Sequence, residues 1–147
     1  MIENQLIIHE FFQKYRFITK QANAHLQKHG LYIAQWSILY CLNRYGPISQ
    51  TDIWRYLNVE APTVTRTLTR MEECGWVTRE TGYDKRERII KLTEKAKELI
   101  PEVLATTSEF EKDMLQNLSP DEKESFFHLL KKMGSGETAH QLEEQHE

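Results

Sequence analysis

Between Ser49 and Thr93 the chain changes its apolar period twice. Two short helical stretches come first, separated by Asn58-Val59-Glu60, a link too short for anything but a sharp corner. The first opens at Ser49-Gln50-Thr51-Asp52, where the serine hydroxyl and the aspartate carboxylate suit a reciprocal cap, and carries Ile53 and Leu57 on one face. The second has Pro62 in its first turn, where a missing amide hydrogen costs nothing, and stops at Gly75. Two β-branched runs follow, Trp76 to Arg79 and Arg88 to Leu92, around the turn residues Gly82-Tyr83-Asp84. A two-stranded hairpin alone is marginal, so this one must pack on the helices. Helix, corner, helix, strand, loop, strand is the order of a winged helix-turn-helix.

The chemistry sits where such a module meets a duplex. In the second helix Val64, Leu68 and Met71 recur at i, i+4 and i+7 and face the core, which leaves Thr63, Arg66, Thr67 and Arg70 on the opposite face. With Thr65 in the same opening turns, these are the candidate contacts to bases and phosphates in a major groove. The loop reads Asp84-Lys85-Arg86-Glu87-Arg88; Arg86 and Arg88 are the candidate wing contacts, with Arg86 directed to a minor groove and Asp84 holding its guanidinium.

The remainder is helical. Ile7, Phe11, Tyr15, Ile18, Ala22 and Leu26 form one stripe on a helix from about 3 to 29, ended by Gly30. A second helix over about 34 to 44 buries Trp36, Leu39 and Leu42 before Gly46-Pro47. Thr93 opens a long helix to about 117, with Ala96, Leu99, Val103, Phe110 and Met114 on one face and a kink expected before Pro101. Ser119-Pro120-Asp121-Glu122 starts a last helix carrying Phe126, Phe127, Leu129, Leu130 and Met133. Those faces exceed what a small winged domain covers, so the two chain ends need each other and a second subunit. The expected class is mainly α with a small β-wing. The N-terminal dimerisation helix takes 1–33, the winged DNA-binding domain 34–97, the C-terminal dimerisation helices 98–133 and a disordered acidic tail 134–147.

Composition narrows the function. The net charge of −3 and pI near 6.1 look wrong for nucleic acid, but the charge is unevenly spread: residues 1–54 sum to +2, 55–97 to +3 and 98–147 to −8. A positive surface in the middle survives a distant acidic end because screening acts over roughly 8 Å at physiological salt. No stretch approaches the ~20 apolar residues of a membrane span, and charges at Glu3, Glu10, Lys14 and Arg16 spoil a signal-peptide core, so a cytoplasmic protein is expected. Cys41 and Cys74 suggest neither a disulfide framework nor a zinc site, and a helix C-terminus makes Cys74 a poor nucleophile. His25 and His29 share a helical face, but two ligands do not make a metal site. No nucleophile elbow, phosphate loop or zinc-protease motif is present, and neither an enzymatic activity nor a cofactor is expected. Tyr15, Tyr32, Trp36 and Tyr40 form an aromatic group near the expected crevice, read first as packing and second as the wall of a small-molecule site.

Taken together, Gln35-Trp36 with Leu39 and Leu42, then Ile53, Leu57 and Val59, Thr63-Val64-Thr65-Arg66, Arg70-Met71-Glu72, Gly75, Asp84-x-Arg86 and Leu92-Thr93-x-Lys95 resemble the MarR family of transcriptional regulators. The likeness runs from the first helix to about Met133, and the order and spacing of the motifs carry it. It implies a homodimer, both chain ends forming the dimerisation domain, bound to a pseudo-palindrome in double-stranded DNA. It also implies the Pro62 to Cys74 helix in the major groove, the wing arginine in the minor groove, and a crevice for a small aromatic or amphipathic effector. A repressor is the expected role. The alternatives are a thiol- or metal-responsive regulator of the same fold, or a winged domain that binds only proteins. Trp54 departs from the small residue usual there, and either repacks the helical corner or narrows the crevice.

Overall fold

The computed structural model describes residues 1–134; the tail reading beyond Gly134 lies outside them. Helix α1 (Asn4–Leu26) is followed by a 3-10 turn (Gln27–His29), α2 (Ile33–Tyr45), β1 (Ile48–Ser49), α3 (Gln50–Leu57) and α4 (Ala61–Glu73). Strands β2 (Val77–Thr81) and β3 (Arg88–Leu92) then lead into α5 (Glu94–Leu115) and α6 (Pro120–Lys132). The wing is a sheet of three strands rather than a hairpin alone. The short β1 pairs antiparallel with β3, Ile48 against Ile90, and β3 pairs with β2, Val77 against Leu92. Gly46 and Pro47 release the chain from α2 straight into β1, which ties the helix-turn-helix to the wing.

Local chemistry fixes the joints. Ser49 Oγ accepts the Asp52 amide at 3.1 Å, but the return bond from the Asp52 carboxylate is not formed, so this cap is half of the box expected. Asn58 turns the corner between α3 and α4 at φ 55°, and Gly75 ends the helical run at φ 80°, a conformation that disfavours a side chain. Thr93 Oγ1 accepts the Ala96 amide at 3.0 Å and donates to the Gly75 carbonyl at 2.6 Å, fastening the start of α5 to the turn between α4 and β2. At Ser119 the reciprocal box is complete, at 3.2 and 3.0 Å. The Glu122 carboxyl is held below its usual range mainly by the Ser119 backbone N–H.

One core joins Trp36, Ile38, Leu39, Cys41 and Leu42 of α2 to Ile53, Val64, Leu68, Met71, Val77, Ile90 and Val103. Burying each such side chain contributes about 1.5–3 kcal/mol. Trp54 packs half-buried against this core, with Arg55 over its ring at 5.3 Å. Helix α5 runs on through Pro101; Ile100 takes the buried place and Leu99 is half-buried. In α1 only Ala22 and Leu26 are buried, while Ile7, Phe11, Tyr15 and Ile18 of the same stripe remain exposed. No residue of α6 is buried. No described helix is long and apolar enough to cross a membrane.

Candidate nucleic-acid interface

Helix α4 divides as its sequence dictates. Val64, Leu68 and Met71 are at most 2% exposed, which forces Arg66 and Arg70 outward, with Thr63 and Thr67 half-buried beside them. Arg66 reaches the Thr63 hydroxyl at 3.4 Å, and neither arginine meets a carboxylate among the described residues. Thr67 spends its hydroxyl hydrogen on the Thr63 carbonyl at 2.9 Å, so it faces outward as an acceptor. Thr65 is engaged on the α3 side instead. It donates to the Ala61 carbonyl at 3.0 Å and accepts from Gln50 Nε2 at 2.8 Å, which pins the start of α4 to α3. No local signal in the sequence marks the Gln50–Thr65 contact, because its partners lie on different helices.

The wing tip is shaped by its backbone. Asp84 Oδ1 accepts the Arg86 amide at 3.0 Å, the Glu87 amide bonds the Asp84 carbonyl at 2.9 Å, and the Gly82 amide bonds the Glu87 carbonyl at 2.9 Å. Asp84 therefore sets the turn and not the guanidinium; no ion pair joins its carboxylate to Arg86. A Cβ at Gly82 would stand 2.9 Å from that of Glu87, so glycine is needed for the strands to close. Lys85, Arg86 and Arg88 are exposed at this tip.

An ion pair locks the wing to the helix. Arg79 of β2 reaches Glu72 Oε1 and Thr69 Oγ1, both at 3.2 Å, and its amide donates to Glu72 Oε2 at 3.2 Å. The Glu72 carboxyl is held low by this guanidinium. No short motif marks such a contact in advance, because its partners lie on different elements.

The aromatic group does not assemble. Trp36 is buried and lines a cavity of about 40 Å³ with Ala22, His25, Leu26, Thr107 and Phe110. That space suits one or two waters rather than an aromatic ligand. Tyr40 touches Trp36 edge-on at 6.5 Å and is half exposed, Tyr15 is exposed on α1, and neither lines the cavity. Tyr32 lies elsewhere, beside Arg66 and Arg70.

The histidines and cysteines have ordinary partners. His25 Nδ1 bonds the Gln21 carbonyl and His29 Nε2 the Thr106 hydroxyl, both at 2.8 Å. Among the described residues no three His, Cys, Asp or Glu side chains are grouped to hold a metal. Burial pushes the Cys41 thiol up to about 12, as befits a packing residue, and Cys74 is exposed.

The model of the MarR family matches residues 31–87, the segment from Leu31 through the wing tip. The uncharacterized HTH-type transcriptional regulator YwoH of Bacillus subtilis is 48% identical over 128 residues, covering 87% of this chain and 93% of its own. Among solved structures, a MarR variant from E. coli complexed with operator DNA superposes with a TM-score of 0.75 at 26% identity, over 87% of this chain and 91% of that one. Reduced AbfR bound to DNA gives 0.69 at 28% identity, over 88% of each chain.

Proposed function

The chain belongs to the MarR family of transcriptional regulators, and from that premise we propose that it is a repressor acting as a homodimer on a pseudo-palindromic operator. The observation that carries the reading is the pair Arg66 and Arg70, exposed on the outer face of α4 without acidic partners among the described residues, while the inner face closes the core. In this reading α4 enters the major groove with Thr63 and Arg66 at base edges, and Thr65 positions the helix through Gln50. Lys85, Arg86 and Arg88 follow the wing into the flanking minor groove, where Asp84 keeps the turn in shape. The exposed faces of α1 and α6 pair across a two-fold axis, which sets two recognition helices one DNA turn, roughly 34 Å, apart.

Release by a small aromatic or amphipathic effector has a route in the same layout. The cavity between α1, α2 and α5 joins the dimerisation helices to the winged part, so a ligand wedged there would change the spacing of the two α4 helices. Because the cavity is small, such a ligand must open it. Selection of bound fragments from random DNA tests the whole reading. A two-fold motif with half-sites about one turn apart is expected, and recovery of no motif would overturn it.

A further inference from the structure

A shallow depression of about 410 Å³ lies between α4 and the start of α2, lined by Tyr32, Ala34, Gln35, Arg66, Thr67 and Arg70. We propose that it seats one backbone phosphate of the operator in each half-site, with Arg70, Gln35 and Tyr32 as its donors. This assignment rests on the DNA-binding reading above and adds α2 to the recognition helix and the wing as a third contact.

Three observations point to an oxyanion. The lining holds two guanidinium groups and no carboxylate, and neither guanidinium has an acidic partner among the described residues. The Gln35 amide has its orientation settled, because the Tyr32 backbone N–H donates to Gln35 Oε1 at 3.1 Å. The Gln35 NH₂ group is therefore the one turned away from the backbone, with two hydrogens to give. Tyr32 is 58% exposed and offers a phenolic hydroxyl on the same wall. An array of donors around uncompensated positive charge suits a phosphate oxygen better than a base edge, which also presents donors that need acceptors.

The occupant follows from position. The depression is continuous with the outer face of α4 through Arg66 and Thr67, so a duplex read by that face carries its sugar-phosphate edge across it. Tyr32 thus belongs with the DNA face and not with the aromatic crevice. Arg66 remains the base-reading arginine, and Arg70 becomes the phosphate anchor.

The test uses full-length protein and the selected operator, with a neutral methylphosphonate replacing one phosphate at a time. Gln35→Glu keeps the oxygen that accepts the Tyr32 amide, so the start of α2 is preserved while a donor becomes an anion. Tyr32→Phe removes only the hydroxyl. Both variants, and Arg70→Ala, should weaken binding to operator and to scrambled DNA by the same factor, roughly a hundredfold for a dimer that loses a hydrogen bond to a charged group in each half-site. Arg70→Ala should also flatten the salt slope by roughly 2 in a dimer. At one methylphosphonate position per half-site, the wild-type protein should lose affinity and Arg70→Ala should lose markedly less, since only the Gln35 and Tyr32 donors remain there. Wild-type affinity in the Gln35 and Tyr32 variants, a changed half-site motif, or the lack of any masking position would overturn the proposal while leaving the DNA-binding reading intact. Failure of the wild-type protein to bind DNA would end both.

Discussion

The winged part and the chain-end helices solve the same problem in opposite ways. From α2 to β3 the apolar residues meet one another, and Ile53, Leu68 and Met71 are 0% exposed. In α6 and the first half of α1 comparable residues stay open to solvent: Phe127 and Leu129 are 54% and 59% exposed, and Phe11 and Phe12 are 40% and 52%. On the dimer proposed above, the first region holds its shape within one chain and the second is completed by a partner surface, so its order should depend on protein concentration.

Removing the second region should have the largest effect. Deleting residues from Ser119 onward should give monomers whose affinity for the full operator falls by roughly 10²- to 10⁴-fold, the factor that two linked half-sites supply. Leu130→Asp in the full chain should act in the same direction, with sedimentation reporting the loss of dimer. A truncated monomer with wild-type affinity would break the comparison.

A core substitution should separate the two regions next. Leu68→Ala should cost about 2–5 kcal/mol of the winged part's stability at every protein concentration, whereas Phe127→Ala should shift the melting temperature only where dimers form. Equal concentration dependence for both variants would show that the regions fold as one unit.

Within the interface, Arg66→Ala should cost about 1–3 kcal/mol on the cognate site and relax the half-site preference. Arg86→Ala should weaken all sequences alike and lower the salt slope. A wing variant that altered the motif while the helix variant did not would reverse these roles.

Smaller effects should come from the Ser119 cap. Ser119→Ala should cost about 1 kcal/mol of α6 stability. Glu122 is held below its ordinary value of 4.5, so its contribution is present above that value and lost as pH falls through the lower folded value. Glu122→Gln should therefore dimerise more weakly than its parent at neutral pH, and the two should converge in acid, as read by sedimentation. In the native protein a thiol reagent at neutral pH should modify Cys74 and spare Cys41.

The order of elements, the core face of α4 and the apolar ends could be read from the sequence because each rests on local spacing: Val64, Leu68 and Met71 repeat on a helix, and Ser119-Pro120 starts one wherever it occurs. The tertiary structure alone decided what depends on residues far apart in the chain. A two-residue β1 has no period to detect, and only its pairing with β3 makes it a strand. Asp84 sits close enough to Arg86 to suggest an ion pair, yet the shape of the turn brings its carboxylate to the backbone amide instead. Tyr32 and Trp36 stand four residues apart, but α2 sends one to the α4 face and the other into the core, so aromatic composition did not reveal their separate settings. Local spacing fixes which face a side chain occupies; only packing fixes what that face meets.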